Sequence, residues 1–156
     1  MTTNRIVVGV DGSTQSAQAL RWAAQQAVRS GATLRAVTAW ELPTTYAWAS
    51  WPIDWDPARD ARRVLTETIA KTFEGHPPVE LEEVVREGGA ARILIDEARF
   101  ATTVVVGSRG HGRVAGVLLG SVSTKVSEHA TCPVVVVHGD QRPETAQRKE
   151  GTLVAG

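Results

Sequence analysis

Hydrophobic positions along the chain fall into two kinds of run that alternate from end to end. Short, nearly unbroken apolar stretches occur at Ile6-Val7-Val8-Gly9-Val10, at 102–107 (Thr102-Thr103-Val104-Val105-Val106 and Gly107) and at Pro133-Val134-Val135-Val136-Val137. Runs of this length, rich in β-branched residues, predict strands covered on both faces. Thr33 to Trp40, carrying Leu34, Ala36 and Val37, predicts a further strand. Val79 to Glu87 alternates through Val79, Leu81, Glu83 and Val85, while Glu80, Glu82 and Glu83 predict one exposed face and an edge position. Between these stretches the apolar spacing turns helical. Ala17, Leu20, Ala24, Ala27 and Val28 follow a possible Ser13 or Thr14 cap and stop at Ser30-Gly31. Ala61, Leu65, Thr68, Ile69 and Phe73 predict a helix from about Ala58 to Glu74, closed by Gly75-His76-Pro77-Pro78. Gly88-Gly89 leads into a short helix with Ala90, Ile93, Leu94 and Ala98 on its apolar side. Val122, Val126 and Ala130 mark the last helix, from about Ser121 to His129.

Five strands alternating with four helices call for an open, Rossmann-like parallel α/β sheet with helices on both faces. Right-handed crossovers and double winding predict the strand order 3-2-1-4-5. The first and fourth strands, the most uniformly apolar, then lie at the centre. Ligands in such sheets bind beyond the carboxyl ends of the strands, where the winding reverses. Here that point falls between Asp11, at the end of the first strand, and Gly107, at the end of the fourth.

Two segments break the alternation. Glu41 to Pro57 holds Trp48, Trp51 and Trp55, the single tyrosine, and Pro43, Pro52 and Pro57. The prolines argue against a regular element and the aromatics against a freely solvated linker, so a long loop folded back on the body is expected. No basic residue interleaves these tryptophans, so a nucleic-acid stacking platform is not expected. The polar, unpatterned residues 139–156 predict a disordered tail, leaving 1–138 as one α/β domain.

Composition narrows the classes further. Seventeen basic residues balance seventeen acidic ones, giving no charge-based reason to expect nucleic acid or an anionic membrane as partner. No apolar run reaches the ~18 residues of a membrane span. With one cysteine and no secretory pattern after Met1, the cytoplasm is the expected location. Cys132 has no cation beside it in sequence to activate it and is expected to be inert packing. His76, His129 and His138 have no metal-ligand spacing.

The chemistry concentrates in one stretch. From strand to helix the chain reads Gly107-Ser108-Arg109-Gly110-His111-Gly112-Arg113, with Gly116 after it and then Gly120-Ser121-Val122-Ser123. No Asp or Glu occurs from Ala98 to Ser127, whereas Arg109, Arg113 and Lys125 are present. Glycine lets a ligand approach bare N–H groups, and a helix N-terminus adds unpaired donors and a positive dipole end. An anion, above all a phosphate chain, is the expected guest.

Better-known phosphate signatures fail on detail. Gly107 and Gly112 have P-loop spacing, but Arg113-Val114 replace the required Lys-Ser/Thr. Gly110-x-Gly112-x-x-Ala115 lacks the acidic residue a dinucleotide fingerprint needs on the next strand. The His-x-Gly-His element of nucleotidyl transferases is absent. The stretch Gly107-x2-Gly110-x9-Gly120-Ser121 instead resembles the ATP-binding signature of the universal stress protein family. Val8-Gly9-Val10-Asp11-Gly12-Ser13 and Thr131-Cys132-Pro133-Val134-Val135-Val136-Val137 resemble its two ends, so the likeness spans roughly residues 4–138.

That resemblance implies ATP held at the crevice between strands 1 and 4. Gly107, Gly110, Gly120, Ser121 and Ser123 would hold phosphates through N–H and hydroxyl groups, and Asp11 would stand by the ribose or a phosphate-bound Mg²⁺. Val37 would meet adenine through its backbone, and Gly9 would leave the nucleotide room. Arg109 and Arg113 are added on charge alone. The resemblance also implies a homodimer, which the uncharged edge strand Val134–Val137 would suit. No general base is evident beyond Asp11, so the reading is an ATP-binding stress-response regulatory protein, at most a slow ATPase. Its alternatives are a true ATPase or adenylyl-transfer enzyme, and a dimeric scaffold that binds no nucleotide.

Overall fold

The computed structural model describes residues 3–42, 54–110 and 119–139. Its elements run β1 (Arg5–Gly9), α1 (Thr14–Ser30), β2 (Thr33–Trp40), α2 (Pro57–Phe73), β3 (Leu81–Glu87), α3 (Ala90–Ala98), β4 (Thr103–Gly107), α4 (Ser121–His129) and β5 (Val134–Val137). The strands form one parallel sheet in the order β3-β2-β1-β4-β5. Type and order of every element agree with the apolar pattern, and the ends differ by a residue or two. Among the described residues no helix is long and apolar enough to cross a membrane. The Trp-rich expectation for 43–53 and the tail expectation for 140–156 fall outside the described residues.

Strand periodicity sorts the core into two layers. Ile6, Val8, Leu34, Ala36 and Val105 point to one face, where α1 and α2 cover them with Ala19, Leu20, Ala23, Ala27, Leu65 and Ile69. Val7, Val37, Val104 and Val106 point to the other, under Ile93, Leu94 and Ala98 of α3 and Val126 of α4. A side-chain period of two makes this division automatic once both faces are buried. The row of alanines on α1 lets that helix sit close to the sheet.

Local signals end the helices where expected. Ser13 caps α1, its Oγ accepting the Ser16 N–H at 3.2 Å. Gly31 closes it at φ 68°, donating its N–H to the Ala27 carbonyl, a conformation that costs glycine little. Asp56 caps α2 by accepting the Arg59 N–H at 3.1 Å, with Pro57 in the first turn.

One expectation needs correction. β3 is an edge strand, but neither face is left simply to water. Val79, Leu81 and Val85 pack under α2, whereas Val84 enters the opposite layer. On that second face Glu82 and Arg86 join a cluster with Arg35 of β2 and Glu97 of α3. An acidic strand therefore reads as solvent-facing only until its partners' charges are known.

Candidate functional site

The carboxyl ends of β1, β2 and β4, with the amino ends of α3 and α4, enclose a cavity of about 600 Å³. Gly9, Asp11, Val37, Gly107, Arg109, Gly110, Gly120, Ser121 and Ser123 all line it. These positions lie as far apart in sequence as Gly9 and Ser123, and the winding reversal brings them together. Arg113, with His111, lies outside the described residues.

At the α4 end the cavity offers hydrogen-bond donors. The first intrahelical bond of α4 runs from the Thr124 N–H to the Gly120 carbonyl at 3.0 Å. The N–H groups of Ser121, Val122 and Ser123 precede it and have no carbonyl within the helix. All three residues line the cavity. Two expected contributors are already engaged. The Gly120 N–H donates to the Ser108 carbonyl at 2.6 Å. The Ser123 hydroxyl, on a residue only 2% exposed, donates to the Ser108 or Gly120 carbonyl, at 3.2 and 3.0 Å. Ser123 thus offers an amide, and Gly120 offers the space where a side chain would be.

The glycines divide by what a methyl group would meet. A Cβ on Gly9 would come 2.9 Å from Leu94 Cδ1, and one on Gly107 would come 3.1 Å from the Gln15 backbone carbonyl carbon. Gly9 therefore makes room for α3, and Gly107 for α1. A Cβ on Gly110 would collide with Asp11 Oδ2. Asp11 is oriented by Ser13, whose N–H and hydroxyl both donate to Oδ1, at 2.9 and 2.5 Å. Among the described lining residues Arg109 brings the cation and Asp11 the carboxylate.

Much of the rest of the lining is apolar, and sequence reasoning missed most of it: Ala39, Ala90, Ile93, Leu94 and Val106 join Val37 there. Helical and strand periodicity mark Ile93, Leu94 and Val106 as inward-facing, but the same pattern serves a core and a cavity wall. Val37 lines the cavity, and its carbonyl accepts the Val10 N–H at 2.9 Å.

Ala39 differs. Backbone groups of β2 alternate: Thr33 bonds Asn4 on the β1 side, Leu34 bonds Glu80 on the β3 side, and Trp40 bonds Gly88. By that parity the Ala39 N–H and C=O face β1. β1 pairing stops at Gly9↔Val37 and the Val10 bond, while β2 runs on to Trp40. Among the described residues neither Ala39 group has a backbone partner on that side. One donor and one acceptor thus stand side by side at the cavity's edge.

Comparison with known proteins agrees with this geometry. Residues 2–138 match the universal stress protein family. A universal stress protein of Mycolicibacterium smegmatis is 38% identical over 146 residues, covering 88% of this chain and 49% of that protein. Universal stress protein Rv2623 of Mycobacterium tuberculosis is 39% identical over 132 residues, covering 84% of this chain and 44% of that protein. The chain spans about half the length of these relatives. A universal stress protein solved in complex with cAMP is 28% identical at a TM-score of 0.65, over 88% of this chain and 98% of its own. UspA from Lactobacillus plantarum, 22% identical over 88% of this chain and 99% of its own, shares the fold at a TM-score of 0.67. The family match takes in every strand and helix and all of the described cavity, and the chain belongs to the universal stress protein family.

Proposed function

We propose that the protein is an adenine-nucleotide-binding regulatory module that holds ATP in the crevice between β1 and β4, with hydrolysis slow or absent. The observation that carries this reading is the polarity of one cavity. Three helix-terminal amides and Arg109 line one part of it, and an apolar wall with the open Ala39 backbone makes up another. A nucleotide has the matching polarity, anionic at one end and flat and apolar at the other. The cAMP complex of a 28% identical relative supports the same ligand class.

In this reading the phosphates lie against Ser121, Val122 and Ser123, with Gly107, Gly110 and Gly120 shaping the approach and Arg109, joined by Arg113, supplying charge. The base lies between Val37 and Leu94. Adenine carries an N6 donor beside an N1 acceptor, complementary to the Ala39 carbonyl and N–H. Asp11 stands by the ribose or by Mg²⁺. The ion would arrive on the phosphates, as Mg²⁺ does when a site supplies one or two carboxylates. The described residues contain no cluster that would hold a metal independently. Phosphoryl transfer needs a positioned nucleophile or water, and among the described lining residues Asp11 is the sole carboxylate.

Mass spectrometry of the protein as purified, followed by calorimetry with ATP, AMP and GTP, tests the proposal. Carried-over adenine nucleotide and saturable ATP heat are expected, with GTP weaker. Flat titrations would leave a non-binding scaffold, and steady Mg²⁺-dependent turnover would make the protein an ATPase.

A further inference from the structure

The open backbone of Ala39 has an identifiable cause. In the β1–β2 ladder the Val10 N–H donates to the Val37 carbonyl, and the next rung would run from the Ala39 N–H to the Val10 carbonyl. That oxygen already has a donor. The hydroxyl of Thr38, a residue 5% exposed, donates to it at 2.9 Å. Val10 is itself buried, at 4% exposure, so its carbonyl needs a protein donor. A carbonyl can accept two bonds, but here the side-chain hydroxyl satisfies the buried oxygen and the rung from Ala39 is not made.

We infer that Thr38 is a positioning residue for ligand recognition: its hydroxyl occupies the Val10 carbonyl and so keeps the Ala39 N–H and C=O open to a ligand in the cavity. Thr38 does not line the cavity and acts through β1 alone. The inference deepens the nucleotide reading and rests on it for the identity of the ligand. Position 38 thereby couples sheet closure to base recognition. A residue without a hydroxyl there leaves the Val10 oxygen unpaired, and zipping the ladder by one rung is the nearest remedy.

Thr38→Val keeps the shape and removes the hydroxyl; Thr38→Ser keeps the hydroxyl and removes a methyl group. Amide exchange at Ala39 in the ligand-free protein reads the latch directly. Exchange should be fast in the wild type and in Thr38→Ser, and at least tenfold slower in Thr38→Val. Equal exchange in wild type and Thr38→Val, or a protected Ala39 amide in the wild type, overturns the inference. Calorimetry with AMP and ATP reads the consequence. Thr38→Ser should bind both within about threefold of wild type, and Thr38→Val should lose at least tenfold for both. Binding by a folded Thr38→Val at wild-type strength, or equal losses in both variants, also overturns it. A wild type that gives no heat with either nucleotide overturns the ligand reading instead, and Ala39 exchange still decides the latch.

Discussion

Gly120 and Gly107 are both glycines at the mouth of the cavity, yet they owe their identity to different neighbours. Gly120 has φ −72° and ψ 170°, open to any residue, and a Cβ there would find Arg109 Cα and the Ser108 carbonyl at 3.5 Å, an ordinary contact. The fold tolerates a side chain at 120; a bound anion would not. Gly120→Glu should therefore fold normally and lose ATP affinity at least tenfold, about 1.4 kcal/mol. Circular dichroism and calorimetry check this, and unchanged affinity in the folded variant would remove the phosphate assignment. Gly107→Ala should behave in the opposite sense. Its methyl would press on the backbone of Gln15 at 3.1–3.2 Å, where α1 cannot easily give way. Overpacking of that kind costs roughly 1–3 kcal/mol, so its denaturation midpoint should drop.

The helix α3 supplies one wall of the cavity through Ala90, Ile93 and Leu94, and its position depends on charge as well as packing. One turn beyond Ile93, Glu97 is buried and accepts bonds from Arg35 Nε at 2.6 Å and Arg86 Nη1 at 2.9 Å. Arg35 also reaches Glu82 at 2.6 Å, so two strands and a helix share one network. Burial pushes the Glu97 carboxyl up, but the two guanidinium groups outweigh it and leave it below the ordinary value of 4.5. A carboxylate depressed on folding contributes stability above its unfolded value, and that contribution is lost as pH falls through the lower folded value. Glu97→Gln should accordingly destabilise at neutral pH, with the deficit narrowing below about pH 4.5. Glu97→Ala should cost more than Glu97→Gln at pH 7, because it removes both acceptors and the packing of the buried side chain, although Arg35 keeps Glu82 and Arg86 keeps Asp96. Urea midpoints measured from pH 7 to pH 3 decide both; a deficit independent of pH would show that packing, not charge, holds α3.

At the scale of the whole molecule, the sheet formed by the described residues ends at β5, whose outer edge has no partner strand among them. Pro133 and Val137 give their carbonyls to Val104 and Ser108 of β4, so by parity Val134 and Val136 direct theirs outward. A short, uncharged edge of this kind invites pairing with another copy, and a homodimer through β5 is the proposed assembly. Val136→Pro would remove an outward N–H while leaving the inward rungs, a substitution edge strands accept. Sedimentation should show the dimer shifting toward monomer. A wild type already monomeric at micromolar concentration would end the proposal.

The order of strands, the types of all nine elements and the location of the crevice were legible in the sequence because they follow from local periodicity and a small set of winding rules. Ile6, Val7 and Val8 declare a central strand by themselves, and the acid-free glycine stretch declares an anion site without knowledge of its neighbours. Other assignments depended on atoms far away in the chain. Only the fold assigns Gly9 to Leu94 and Gly107 to Gln15, pairs the acidic β3 with Arg35, and consumes the Gly120 N–H and the Ser123 hydroxyl on Ser108. The same holds for the base end, where Val37 and Ala39 differ by two residues and share a face. What separates them is where β1 stops and which donor reaches the Val10 carbonyl. Hydrogen-bond availability is a difference between what a residue carries and what its spatial neighbours have already used, so it is decided in the tertiary structure.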